Sequence, residues 1–88
     1  MRITDNIEYN IKVIHDSIQD IQKEGNMPYG IVMHPQTFHN LCMSESMKKY
    51  LGNQLPTKER IIMYVFSGLK FIGDIDMMMG DYDIVYRK

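Results

Sequence analysis

DNIEYNIKVIHDSIQDIQKEG, residues 5–25, decides the fold. Ile7, Ile11, Ile14, Ile18 and Ile21 recur at spacings of 4, 3, 4 and 3. At about 100° per residue they fall within an arc of roughly 80°. A stripe this regular predicts an amphipathic helix over residues 5–24 with its isoleucines turned to the core. Asp5 is placed as the N-cap, and Glu8 three residues on would complete a capping box. Gly25 can take the left-handed conformation that ends a helix. Glu8, Lys12 and Asp16 are spaced i, i+4 on the outer face and support it weakly. The stripe covers barely two heptads, which favours core burial over a coiled-coil seam. Tyr9 and Val13 do not fit it. They are i, i+4 neighbours on roughly the opposite side, a second apolar spot where a partner contact is expected first.

Downstream of this helix, Asn26, Met27 and Pro28 read as a connector, and residues 29–33 (YGIVM) as a short buried strand bounded by turn formers. His34-Pro35 opens the next helix, with Pro35 at the tolerated first position. Phe38, Leu41 and Cys42 form its apolar face, whereas Met47, Tyr50 and Leu51 form one rotated by about half a turn. A straight helix cannot bury both sets, so a break is expected near Ser44–Ser46, with Gly52 stopping the second helix. Residues 53–60 are polar, contain Pro56 and read as a surface loop. Residues 61–66 (IIMYVF) have strand-like composition but no alternation, leaving strand and buried helix both open. Ser67-Gly68 is a turn signal. Residues 69–74 alternate, with Leu69 and Phe71 on one face. Met77 to Asp81 form a loop, and Tyr82, Ile84 and Tyr86 alternate in a last strand. The expected fold class is α+β in a single domain over residues 1–88: an N-terminal amphipathic helix, short helices and a small mixed or antiparallel sheet.

Composition narrows the function classes. Apolar residues at 44% and charged residues at 24% are ordinary for a globular chain. Ten basic against eleven acidic residues leave a net charge of −1, no global field to attract nucleic acid or an anionic membrane. The longest apolar run, residues 61–66, is far short of a membrane span. Cys42 is the only cysteine, so no intramolecular disulfide can form and a reducing compartment is expected. The N-terminus lacks the apolar core and cleavage site of a signal peptide. Together these make a cytoplasmic location the expectation. Nine methionines point to a plastic core or interface.

Little in the sequence reads as a reaction centre. His34, His39 and Cys42 are the soft-ligand cluster, with His15 on another helix. Zinc needs three or four ligands converging on one point. Cys42 belongs to the apolar face with Phe38 and Leu41, whereas His39 points away from its centre. The same burial denies Cys42 the exposure a nucleophile needs. Asp74, Asp76, Asp81 and Asp83 do not match an EF-hand and are expected to keep hairpin ends soluble. Gly68, Gly73 and Gly80 are too dispersed for a phosphate loop. Lys48, Lys49 and Tyr50 make a small basic-aromatic spot, ordinary for a solvated helix face. The expectation is therefore no metal, no cofactor and no enzymatic activity. Tyr9 and Val13, with Met77, Met78 and Met79 as a flexible apolar loop, are the candidate contact residues.

The succession of segments carries one family resemblance. A helix ending Ile21-Gln22-Lys23-Glu24-Gly25 leads to the strand Tyr29-Gly30-Ile31-Val32-Met33. The turn His34-Pro35-Gln36-Thr37 then enters a short helix with Phe38 and Leu41. After Lys48-Lys49-Tyr50-Leu51-Gly52 comes the strand Gly68-Leu69-Lys70-Phe71-Ile72-Gly73-Asp74. A methionine loop precedes Asp81-Tyr82-Asp83-Ile84-Val85-Tyr86. This order resembles the axial-domain region of the major capsid proteins of tailed phages. Subunits of that family are several times longer, and their N-terminal arm, extended loop and long spine helix have no counterpart here. The segment between Gly52 and Gly68 is also shorter than theirs. The resemblance implies a standalone, phage-encoded protein-interaction module, related to or associated with the capsid or head, in the host-cell cytoplasm. Its partner would be a protein: a second copy, the virion or a host protein. A homo-oligomer would suit the small core. One alternative is a phage inhibitor that binds a host or defence protein. Another is a metal-dependent enzyme or metal-binding protein.

Overall fold

A computed structural model describes residues 2–52 and 54–88. The elements run α1 (Ile7–Lys23), β1 (Met27–Met33), α2 (Pro35–Met43), α3 (Glu45–Leu51), α4 (Lys58–Tyr64), β2 (Lys70–Gly73) and β3 (Tyr82–Arg87). The strands form one sheet in the order β2-β1-β3, with β1 parallel to β2 and antiparallel to β3. The class is α+β and the sheet is mixed. A parallel pair needs a crossover, and α2, α3 and α4 lie within it.

α1 keeps its isoleucine stripe: Ile7, Ile14 and Ile18 are buried, and Ile11 and Ile21 pack partly buried against the core. Its cap differs from the expected one. Asn6, not Asp5, is the N-cap, at φ −96° and ψ 102°, with Oδ1 accepting from Tyr9 N–H at 3.0 Å. Starting one residue later puts Glu8 second in the helix, where it suits the dipole but cannot complete a capping box. The C-terminus is a Schellman motif. Gly25, at φ +82°, donates to Gln22 C=O at 3.0 Å, and Asn26 donates to Ile21 C=O at 3.2 Å.

β1 begins at Met27, two residues before the expected start. Pro28 is tolerated because pairing with β2 begins only at Gly30, and the ladder to β3 is irregular between Pro28 and Gly30. Ile31 and Met33 face the core opposite Ile84 and Tyr82. Gly30 looks the other way. A Cβ there would come within 2.6 Å of Ile72 Cδ1 and 3.2 Å of Val85 Cγ2, so the two flanking side chains roof this glycine.

Ser44 makes the expected break. It is the C-cap of α2 and the N-cap of α3, its Oγ donating to Leu41 C=O and accepting from Met47 N–H, each at 3.1 Å. The turn lets Leu41 on α2 and Met47 and Leu51 on α3 reach one core. Gly52, at φ +64°, ends α3. Of the loop expected over residues 53–60, Asn53 lies outside the described residues, and Lys58 to Arg60 are helical. Residues 61–64 continue that helix, which settles the open segment against a strand. Thr57 caps it, its Oγ1 accepting from Arg60 N–H at 3.3 Å. Ile61 and Val65, one turn apart, are buried with Phe66. Phe38 stacks on Phe71 at 4.2 Å between ring centroids and meets Phe66 at 6.0 Å, tying α2 to β2 and the α4 exit.

The segment before α1 is fixed by a buried polar side chain. Asn10 is only 3% exposed. Its Oδ1 accepts from Thr4 N–H at 3.0 Å and Thr4 Oγ1–H at 2.8 Å, and its Nδ2 donates to Thr4 C=O at 2.9 Å. Arg2 bridges Asp81, and Ile3 N–H donates to Gly80 C=O at 2.7 Å. Removing one partner from such a cluster strips several hydrogen bonds at once. Asn10→Ala is expected to lower unfolding free energy by about 2 kcal/mol in urea titration, whereas the exposed Asn40→Ala should change it by less than about 0.5 kcal/mol.

Candidate interaction surface

Tyr9 and Val13 lie on α1 outside its set of buried residues. Tyr9 is 55% exposed, while Val13 is half-buried. Tyr9 is also close enough to Tyr82, at the start of β3, to influence its ionisation. Burial pushes the Tyr82 phenol above the ordinary tyrosine value of 10.0, and Tyr9 adds to that rise.

The methionines lie on the β2–β3 connection. Met77 is half-buried, and Met78 and Met79 are exposed next to Ile75, itself 77% exposed. The expected flexibility of this loop meets a dense set of anchors. Asp74 Oδ1 accepts from Asp76 N–H at 2.9 Å, and Asp74 C=O from Met77 N–H at 3.2 Å. Asp81 N–H donates to Met78 C=O at 3.0 Å. Thr37, buried on α2, accepts from Gly80 N–H at 2.9 Å and sets its Oγ1 4.0 Å from Met79 Sδ. The methionine loop is thus held from α2. A cavity of about 190 Å³ is lined by Thr4, Asn10, Thr37, Asn40 and Ser44 among others. Thr4, Asn10, Thr37 and Ser44 are engaged there in the internal hydrogen bonds already described.

The soft-ligand residues are spread out. His34 is the N-cap of α2, its Nδ1 accepting from Gln36 N–H at 2.9 Å. His15 and His39 are exposed, and Cys42 packs against the core, where burial raises its thiol pKa above 9.0. Among the described residues no three of His, Cys, Asp or Glu are grouped to hold a metal, and no helix is long and apolar enough to cross a membrane.

Sequence reasoning missed a second surface. The helices and the core lie on one face of the sheet, leaving the face with Gly30 and Val32 open. There the Tyr29 ring sits between Arg87, whose Cζ is 4.9 Å from the ring centroid, and Lys70, whose Nζ is 5.7 Å away. Val32, Ile72 and Val85 form a half-buried apolar strip beside it. The alternation of Lys70 with Ile72, and of Asp83, Val85 and Arg87, was the available signal.

No protein-family model, curated protein or solved structure matches the chain.

The Tyr82 environment has a pH consequence. A phenol whose native pKa is raised holds its proton longer folded than unfolded. Its contribution is complete below the unfolded value of 10.0 and is lost as pH rises through the native value. Cys42 acts in the same direction from 9.0 upward. The urea midpoint should therefore fall progressively above pH 9, and Tyr82→Phe should shallow that fall, both read from tryptophan-independent circular dichroism.

Proposed function

We propose that this chain is a non-enzymatic protein-interaction module of tailed-phage origin, related to the capsid axial domain and acting on a head protein in the host-cell cytoplasm. The carrying observation is the β2–β3 loop. It displays Ile75, Met78 and Met79 to solvent while Thr37 and a set of backbone hydrogen bonds hold it in place. Apolar side chains presented on a fixed backbone lose less freedom on binding than those on a loose loop, and methionine adapts to irregular partner surfaces. Exposed Tyr9 and half-buried Val13 supply a second contact on α1.

The capsid part of the reading is supported by the sequence resemblance. The inhibitor alternative uses the same surface toward a host protein.

Co-sedimentation with purified heads of the encoding phage separates the two. Head binding is expected, with Tyr9→Ser plus Val13→Ser abolishing it and Met78→Ser plus Met79→Ser weakening it about tenfold. Each pair should lower folding stability by less than about 1.5 kcal/mol. Recovery of a host protein with no head association would overturn the capsid reading, and binding unchanged by both pairs would rule this surface out.

A further inference from the structure

From Ile84 onward the outer edge of β3 meets no other strand among the described residues, and two hydrogen bonds show which groups point outward. Met33 C=O accepts from Asp74 N–H at 3.0 Å, so the polar groups of Met33 turn toward β2. Tyr82, its partner across the other ladder, therefore turns its own groups away from β1. On the far side, Ile3 N–H meets Gly80 C=O at 2.7 Å beside the Arg2–Asp81 bridge. Both observations give one alternation: Gly80, Tyr82, Ile84 and Tyr86 face out, while Asp83, Val85 and Arg87 bond to β1. The described N-terminal segment reaches this edge only at Gly80 and Asp81. From Ile84 to Tyr86 the outward groups meet no other described strand.

We propose that β3 pairs antiparallel with β3 of a second copy about a two-fold axis at Val85, joining two three-stranded sheets into one of six strands. This register makes Ile84 and Tyr86 the hydrogen-bonded partners across the axis, using the groups that point outward. Asp83 of each copy then stands opposite Arg87 of the other, and Val85 opposite itself. These are non-hydrogen-bonded pairs, where facing side chains approach most closely.

The charges select this register among the symmetric alternatives. Moving the axis to Ile84 puts Asp83 opposite Val85, and moving it to Tyr86 puts Arg87 there. An axis at Asp83 or at Arg87 sets like charges face to face, which is destabilising. An Ile84 axis would also set Arg87 opposite Asp81, but the N-terminal segment already lies on the edge there, so the Val85 axis alone pairs opposite charges on the part of the edge beyond Asp81. Within the chain, neither Asp83 nor Arg87 has an ion-pair partner among the described residues. The inference is independent of the capsid reading.

Sedimentation equilibrium of the whole chain, up to about 1 mM, tests it. A monomer–dimer equilibrium is expected. Asp83→Arg and Arg87→Asp should each raise the dimer Kd about tenfold by opposing like charges twice across the axis. The two changes together restore both pairs and should bring Kd back to within about threefold of the starting value. Tyr86→Pro removes an outward N–H without touching the β1 ladder and should give a monomer with unchanged circular dichroism. If that variant does not fold, the charge exchange at two exposed positions decides. A chain monomeric throughout, a Kd indifferent to the single changes, or a double variant no tighter than the singles would overturn the proposal.

Discussion

β1 is hydrogen-bonded along both edges, and its two sides make opposite demands on the chain. Toward β2 the pairing is parallel, which obliges the backbone to travel the length of the sheet before it returns. β3 runs antiparallel to both β1 and β2, so the methionine loop, leading from the end of β2 past β1 to the start of β3, can be short. The parallel partner is what places α2, α3 and α4 between β1 and β2. Ile31 and Met33 give those helices and α1 a common surface to cover. A domain this small cannot cover both faces of its sheet, so the residues of β1 pointing the other way are closed over by their neighbours. Gly30 fits that arrangement because Ile72 and Val85 already occupy the space above it.

The N-terminal segment is held by side chains more than by a ladder. Thr4 and Asn10 saturate one another beneath the first turn of α1, and Ser46 Oγ on α3 accepts from Ile7 N–H at 3.2 Å. These contacts join the start of α1 to α3, while Ile3 and Arg2 join the same segment to the β3 entrance. Thr37 completes the arrangement from α2. Three stretches far apart in sequence therefore meet around a few polar atoms, and the methionine loop derives its fixed position from them.

What could be read from the sequence divides along this line. The stripe of α1, the Gly25 terminus, the break at Ser44 and the stop at Gly52 are written in neighbouring residues, and all four appear in the structure. The N-cap moved from Asp5 to Asn6 because two capping residues stand side by side and the Thr4–Asn10 contact selects between them. α4 was ambiguous because Ile61 to Phe66 is apolar throughout; the deciding signal was Thr57, a capping residue inside a stretch read as loop. Asn10 falls three residues from Ile7 and four from Ile14, and a polar residue on the stripe was a legible hint of a buried contact. Of the candidate contact residues, Tyr9 could be placed by its exclusion from the stripe. The anchoring of the methionines could not, since Thr37 lies 42 residues from Met79 and nothing in periodicity connects them.

β3 shows how one strand can be fixed on most sides and still be selective on the last. Its inner edge belongs to β1, its entrance is bridged to Arg2, and Tyr82 and Ile84 anchor it in the core. An exposed edge is a hazard, because any extended segment can pair with it, and charged side chains are a common protection. A uniform charge would repel every copy of the chain. Asp83 and Arg87, opposite in sign on either side of Val85, oppose the registers centred on themselves while favouring the one centred between them. The arrangement that discourages indiscriminate pairing is thus the one that defines a specific partner, and that partner needs no sequence beyond this strand.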